Sequence, residues 1–236
     1  MKSVILFDID ELIKRCEALS DEAYLKNAMA LIPTDWKMIG VRTANIRKLA
    51  SEYAVRINRK EDFEELLKFL DEAFDRKNLT LVALGFETLN KRSKFLERKV
   101  LENVKRWVPS VSDWAVADGM AISITGSLLE KNLISLNDLS FLKDHSNVFG
   151  RRIYITSMVL PVRKDTSDIN LFLSEIENFI SDKNKYIYKA VSWVLREGTK
   201  KFKTQIHAFL ERHSEELHSS VVREVRNKIE TGKKSG

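Results

Sequence analysis

The chain has 236 residues, 44% of them hydrophobic and 31% charged, with 40 Lys and Arg against 34 Asp and Glu and a formal net charge of +6. That composition supports a core of ordinary size and excludes a disordered chain, and the longest uncharged run, residues 119–129, is too short to cross a bilayer. The single Cys16 excludes an internal disulfide and a cysteine-cage metal site, and the N-terminus shows neither the apolar core nor the cleavage site of a secretion signal, so a reducing cytoplasm is expected.

Only 8 Gly and 3 Pro interrupt the sequence, too few turns for an all-β fold, and apolar residues recur at helical spacing almost throughout. In chain order the pattern predicts helices over 9–19, 21–31, 43–57, 61–75, 79–90, 93–107, 111–129, 135–143, 147–160, 168–181, 184–200, 202–213 and 217–231. Asp21, Thr43 and Asp168 stand at predicted helix starts, and Pro109 and Pro161 at predicted breaks. Short links make neighbouring helices antiparallel, and the pairs recur about every 35–40 residues, the spacing of a HEAT-type α-solenoid. The expected architecture is therefore all-α: a single domain over residues 1–230, curved, with a concave basic groove, followed by a disordered tail at 231–236. The +6 charge permits a polyanionic partner without requiring one.

Three segments do not read as plain core. In the first, Trp114 and Asp118 lie four apart and share one face of a helix otherwise made of small and apolar residues. A carboxylate there is costly unless it is paired or reaches water. Asp118 is then either a partner for a neighbouring helix or a cation such as Arg152, or a functional acid. Asp113 reads more simply, as an acid at a helix N-terminus. In the second, Arg151 and Arg152 open an otherwise apolar helix, where a local anion would offset the helix dipole. That anion is Asp118 or a phosphate, unless the arginines are simply solvated. In the third, Ile187, Ala190, Val191, Val194 and Leu195 form the apolar stripe of a helix whose other face carries Tyr186, Lys189, Trp193, Arg196 and Lys200. Trp193 either packs at the margin of the stripe beneath Lys and Arg stems, or stands exposed in a basic groove suited to a sugar-phosphate chain. His145, His207, His213 and His218 show no metal-ligand spacing and are expected at the surface. No metal or other cofactor is expected, and with no Gly-rich phosphate loop, no use of nucleoside triphosphates.

Four motifs in order resemble the AlkD-like DNA alkylation repair family of HEAT-like-repeat DNA glycosylases. They are Met38-Ile39-Gly40-Val41-Arg42-Thr43-Ala44-Asn45-Ile46-Arg47-Lys48-Leu49, Trp114-Ala115-Val116-Ala117-Asp118, Arg151-Arg152, and Tyr186-Ile187-Tyr188-Lys189-Ala190-Val191-Ser192-Trp193-Val194-Leu195-Arg196-Glu197. The resemblance spans roughly residues 20–230. It implies that Trp114 and Trp193 are active-site aromatics, Asp118 the catalytic carboxylate and Arg152 a groove arginine on an adjacent phosphate. Arg151, Lys189, Arg196, Lys200, Lys201 and Lys203 would then supply backbone affinity. Ala115 departs from the acid that often follows the first Trp in the family. Residues 28–37 form a longer stretch than usual, which leaves Tyr24 and Trp36 without an assigned role. The implied activity is hydrolytic release of N3- or N7-alkylated purines from duplex DNA by a monofunctional, cofactor-free enzyme acting as a monomer. The alternative is a solenoid that binds DNA or protein without excising a base.

Overall fold

A computed structural model describes residues 6–164 and 168–234. Among the described residues there is no β-strand, only two isolated bridges, Ser20–Val41 and Lys37–Asn78. The α-helices are α1 (Ile9–Glu17), α2 (Glu22–Leu31), α3 (Thr43–Ala54), α4 (Lys60–Asp75), α5 (Leu79–Lys91), α6 (Leu101–Trp107), α7 (Trp114–Met120), α8 (Gly126–Glu130), α9 (Ser140–Lys143), α10 (Val148–Thr156), α11 (Ile169–Glu177), α12 (Lys185–Gly198), α13 (Lys203–Arg212) and α14 (Ser219–Thr231). No described helix is long and apolar enough to cross a membrane. The chain divides into two compact units, Met1–Ile124 and Thr125–Gly236.

In the first unit α5 packs on α3, α4 and α7, and α4 packs on α6. The core there holds Leu12, Leu49, Tyr53, Leu66, Leu70, Leu81, Leu84 and Leu89. Phe74 stacks on Trp107 at 4.7 Å between ring centroids, and the Trp107 indole N–H donates to Asp71 at 2.8 Å. The indole thus buries its ring and still satisfies its donor. Gly85 lets α4 and α5 close up, since a Cβ there would sit 2.4 Å from Leu70 Cδ2. In the second unit α12 packs on α10, α13 and α14, α11 packs on α13, and α9 on α10. The buried Tyr154 hydroxyl donates to Glu175 at 2.8 Å, and Lys143 pairs with the same carboxylate at 2.7 Å.

Local signals explain most boundaries. Asp21 and Asp168 accept from main-chain N–H groups of the first turns of α2 and α11, as side-chain caps do. Thr43 differs from expectation: it is the first helical residue of α3, Arg42 precedes it, and no side chain caps this helix. The predicted helix over 93–107 is broken into 3₁₀ turns at Ser93–Phe95 and Arg98–Val100 before α6 begins. Leu96 and Glu97 between them are extended, because Leu96 is drawn into the core and Glu97 pairs with Lys60. The predicted helix over 111–129 starts only at Trp114 and passes through a π-helical turn, Ala121–Thr125. Residues 135–143 give a 3₁₀ turn and then α9. At the C-terminus Gly232 adopts φ +74° and closes α14. Of the expected tail at 231–236, residues 235 and 236 lie outside the described residues.

Candidate functional site

The first unit presents Trp114 and Asp118 on α7. This helix starts at Trp114 because Asp113 Oδ1 accepts from the N–H groups of Ala115 and Val116 at 2.8 and 2.9 Å. The expected role of Asp113 as an N-terminal helix acid is what the structure contains. It is nearly inaccessible, 1% exposed, and burial pushes its carboxyl above the usual carboxylate range. Trp114 and Asp118, one turn apart, are both half-buried. The Trp114 indole N–H donates to the Leu31 carbonyl at 3.4 Å.

Asp118 lines a cleft of about 300 Å³ walled by Val82, Phe86 and Ile122 among others. Gly119 makes this cleft: a Cβ there would come within 2.8 Å of the Phe86 ring, so only glycine lets α5 approach α7 so closely. A neighbouring hollow of about 190 Å³ shares Leu79, Ala83 and Glu87 with the cleft, and Tyr24 and Thr43 stand on its far side. Leu79, Ala83 and Glu87 are four apart, so one stripe of α5 floors both. Glu87 pairs with Arg47 at 3.1 Å, and the Tyr24 hydroxyl lies 3.4 Å from that of Thr43. Sequence reasoning missed the α5 floor. Its signal was the half-polar period of Leu79, Ala83 and Glu87, hidden in a helix that otherwise reads as core.

In the second unit, α12 buries Ile187, Ala190, Val191, Val194 and Leu195, the stripe that its periodicity predicts. Trp193 is half-buried on the opposite side, and Lys189 is exposed. Burial pushes the Glu197 carboxyl upward, but hydrogen bonding and charge from Arg163, with help from the Trp193 indole, hold it below its ordinary value. Lys200, Lys201 and Lys203 are all exposed at the turn into α13.

Two arginines are enclosed and held by partners within the second unit. Arg152, expected to open into a groove, is 7% exposed, and its Nη1 donates to the Tyr186 carbonyl at 2.6 Å. Arg196, expected to meet DNA backbone, is half-buried. Its Nε donates to Ser192 Oγ at 3.2 Å and lies 3.5 Å from Glu224. Burial lowers its pKa. Arg151 is half-buried and donates to the His145 carbonyl at 2.9 Å. Both carbonyl contacts fasten α10 to its surroundings.

The remaining candidates have structural fates. Trp36 is 4% exposed and meets Phe74 edge-on at 5.3 Å, so it belongs to the core; its indole N–H finds no hydrogen-bond partner. His207 is exposed as expected, but the other three histidines are half-buried and bonded. His145 and His218 accept main-chain N–H groups at 3.0 and 3.2 Å, and His213 lies between Glu177 and Glu216 at 3.2 and 3.1 Å. Among the described residues no group of His, Cys, Asp and Glu could hold a metal ion. The Cys16 thiol is buried, which pushes its pKa up to about 11.

The all-helical fold has a solved counterpart. A solved structure described as a predicted DNA alkylation repair enzyme from Enterococcus faecalis is similar to this chain, with a TM-score of 0.73 over 89% of this chain and 95% of that one. At 14% identity the likeness is one of fold. A comparison with curated proteins finds no match. The family model described as DNA alkylation repair enzyme matches residues 12–229. The chain belongs to the DNA alkylation repair enzyme family, and its role is in alkylation repair.

Proposed function

We propose that the protein is a monofunctional DNA glycosylase that releases N3- or N7-alkylated purines from duplex DNA, built from HEAT-like helix pairs and acting as a monomer. The observation that carries this reading is Asp118 on the wall of an apolar cleft, one helical turn from Trp114. Alkylation of a ring nitrogen makes the base cationic, so it departs without a strong general acid. The remaining barrier is positive charge growing on the deoxyribose as the glycosidic bond stretches. A carboxylate held beside that sugar in a place poor in water stabilises the oxocarbenium-like state, as in glycoside hydrolysis. Asp118 fills this role and orients the attacking water. Water adds to C1′ as the base leaves with the bonding pair, and one proton is released to solvent. Trp114 and Trp193 offer ring faces to the cationic sugar and the backbone. Lys189, Lys200, Lys201 and Lys203 supply phosphate contacts, which position the duplex without reading its sequence. We assign Arg152 and Arg196 to the fold, where they hold α10 and α14 against α12, and Arg151 to the margin of the same surface. No lysine stands out as the nucleophile that a lyase step requires.

The test is single-turnover release of N7-methylguanine from duplex DNA. Wild type is expected to release the base, and Asp118→Asn to lose most of the rate while retaining DNA affinity. Equal rates would remove Asp118 from the mechanism. DNA binding without base release would support a binding scaffold instead, and an affinity indifferent to salt would point away from DNA.

A further inference from the structure

The segment that follows α2 is fastened to the start of α7, and from that contact we infer that Thr34 is a positioning residue for the Trp114–Asp118 pair. The inference rests on the glycosylase reading. Helix α7 runs on through the π-helical turn into α8, but the N–H groups of its first turn have no carbonyl partner within the helix, so its start depends on the Asp113 cap. That cap has two oxygens with different work. Oδ1 accepts from the Ala115 and Val116 N–H groups; Oδ2 accepts from the Thr34 hydroxyl at 2.8 Å. In a site that is 1% exposed, a carboxylate oxygen without a donor is costly. Removing the Thr34 hydroxyl therefore leaves Asp113 to rotate, to protonate or to draw in water, and each outcome disturbs Oδ1 on the helix start.

Thr34 is itself held. Its oxygen accepts from the Trp36 N–H at 3.2 Å and lies 3.0 Å from Ser112 Oγ, in the residue before the cap. A second tie comes from the last residue of α2, where the Leu31 carbonyl accepts from the Trp114 indole. Residues 31–36 thus fix both the main chain where α7 begins and the ring of its first residue. Asp118 stands one turn further along the same helix. Thr34 acts through Asp113 and touches no reacting atom in this scheme.

The test compares Thr34→Val, which keeps the shape and loses the hydroxyl, with Thr34→Ser, which keeps the hydroxyl. Single-turnover release of N7-methylguanine at saturating enzyme is measured beside DNA affinity, folded fraction and hydrogen exchange at the Ala115 and Val116 amides. The valine variant should exchange those amides faster and excise roughly tenfold to a hundredfold more slowly, with DNA affinity nearly unchanged, since small misplacements of catalytic groups cost rate before binding. The serine variant should recover most of both losses. The inference is overturned by a valine variant that excises at the wild-type rate, by a serine variant as impaired as valine, or by a loss that merely follows the folded fraction. A wild type that releases no base removes the glycosylase reading and this inference together. An active wild type with an equally active valine variant removes only the inference.

Discussion

Arg196 separates cations that serve the fold from cations that serve DNA. Its guanidinium lies 3.5 Å from Glu224, Ser192 Oγ donates to the same carboxylate at 2.6 Å, and the two charged side chains are 16% and 18% exposed. In Arg196→Met the aliphatic stem stays and the charge goes. Glu224 then keeps one hydroxyl donor and the more distant Lys234, 3.6 Å from its other oxygen. Removing one partner of a fully buried pair costs about 3–5 kcal/mol, and a hydrogen bond to a charged group contributes about 1.5–3 kcal/mol. The residual solvent access of this pair points to the lower figure, about 2 kcal/mol. For a chain of this length that lowers the melting temperature by roughly 4–8 °C, and the urea midpoint by about 0.7 M if the slope is about 3 kcal/mol per molar. The companion measurement is the salt dependence of DNA binding. The slope of log affinity against log salt should be unchanged in Arg196→Met. Replacing Lys200, Lys201 and Lys203 by Ala should flatten it by up to about 2.7, at about 0.9 for each phosphate that is no longer neutralised. If Arg196→Met were as stable as wild type and had a slope shallower by about 0.9, the guanidinium would belong to DNA and the pairing with Glu224 would be incidental.

Asp113 should give stability an unusual pH dependence. Its folded-state pKa is raised by burial, so the native state holds the proton more tightly than the unfolded chain does, and its contribution to wild-type stability falls as pH rises from the ordinary Asp value through the folded one. Asp113→Asn keeps an acceptor for the first turn and has no such titration. Urea denaturation across that window should show the variant gaining on wild type as pH rises, whereas Asp113→Ala, which also lacks the titration but has no cap, should stay about 1 kcal/mol below the Asn variant at every pH. An Asn variant that loses ground with rising pH would refute the burial argument. Cys16, buried with its pKa pushed up to about 11, should react with a disulfide reagent at mildly alkaline pH only as fast as the protein opens, and at once in urea. Prompt reaction of the native protein would mean that α1 does not turn the thiol into the core as the structure has it.

The helical periodicity of the chain made most elements readable in advance. In α12 the apolar positions at three- and four-residue spacing are the ones the core takes in. Asp21 and Asp168 cap the helices they precede because a short carboxylate reaches the first-turn N–H groups wherever it stands before a helical run. Prediction failed where burial competed with local preference. Residues 93–107 carry a helical pattern, yet Leu96 is drawn into the core and Glu97 is extended beside Lys60, so the helix starts only at Leu101. The Trp114–Asp118 pair was legible because i and i+4 always share a face, whereas the α5 floor of its cleft needed the approach that Gly119 allows across to Phe86.

By itself, then, the sequence determined an all-helical chain, the inner and outer faces of its longer helices, and the Trp and Asp on α7. Those properties depend on neighbours within about one or two turns, which the order of residues fixes directly. Tertiary structure alone decided the fate of each charge. Arg152 meets the Tyr186 carbonyl, Arg196 approaches Glu224, and Thr34 donates to Asp113, each partner lying far along the chain. The side chains of Arg196 and Lys200 are both cations, four residues apart. What distinguishes them is the carboxylate that packing brings within reach of the first and the solvent it leaves around the second.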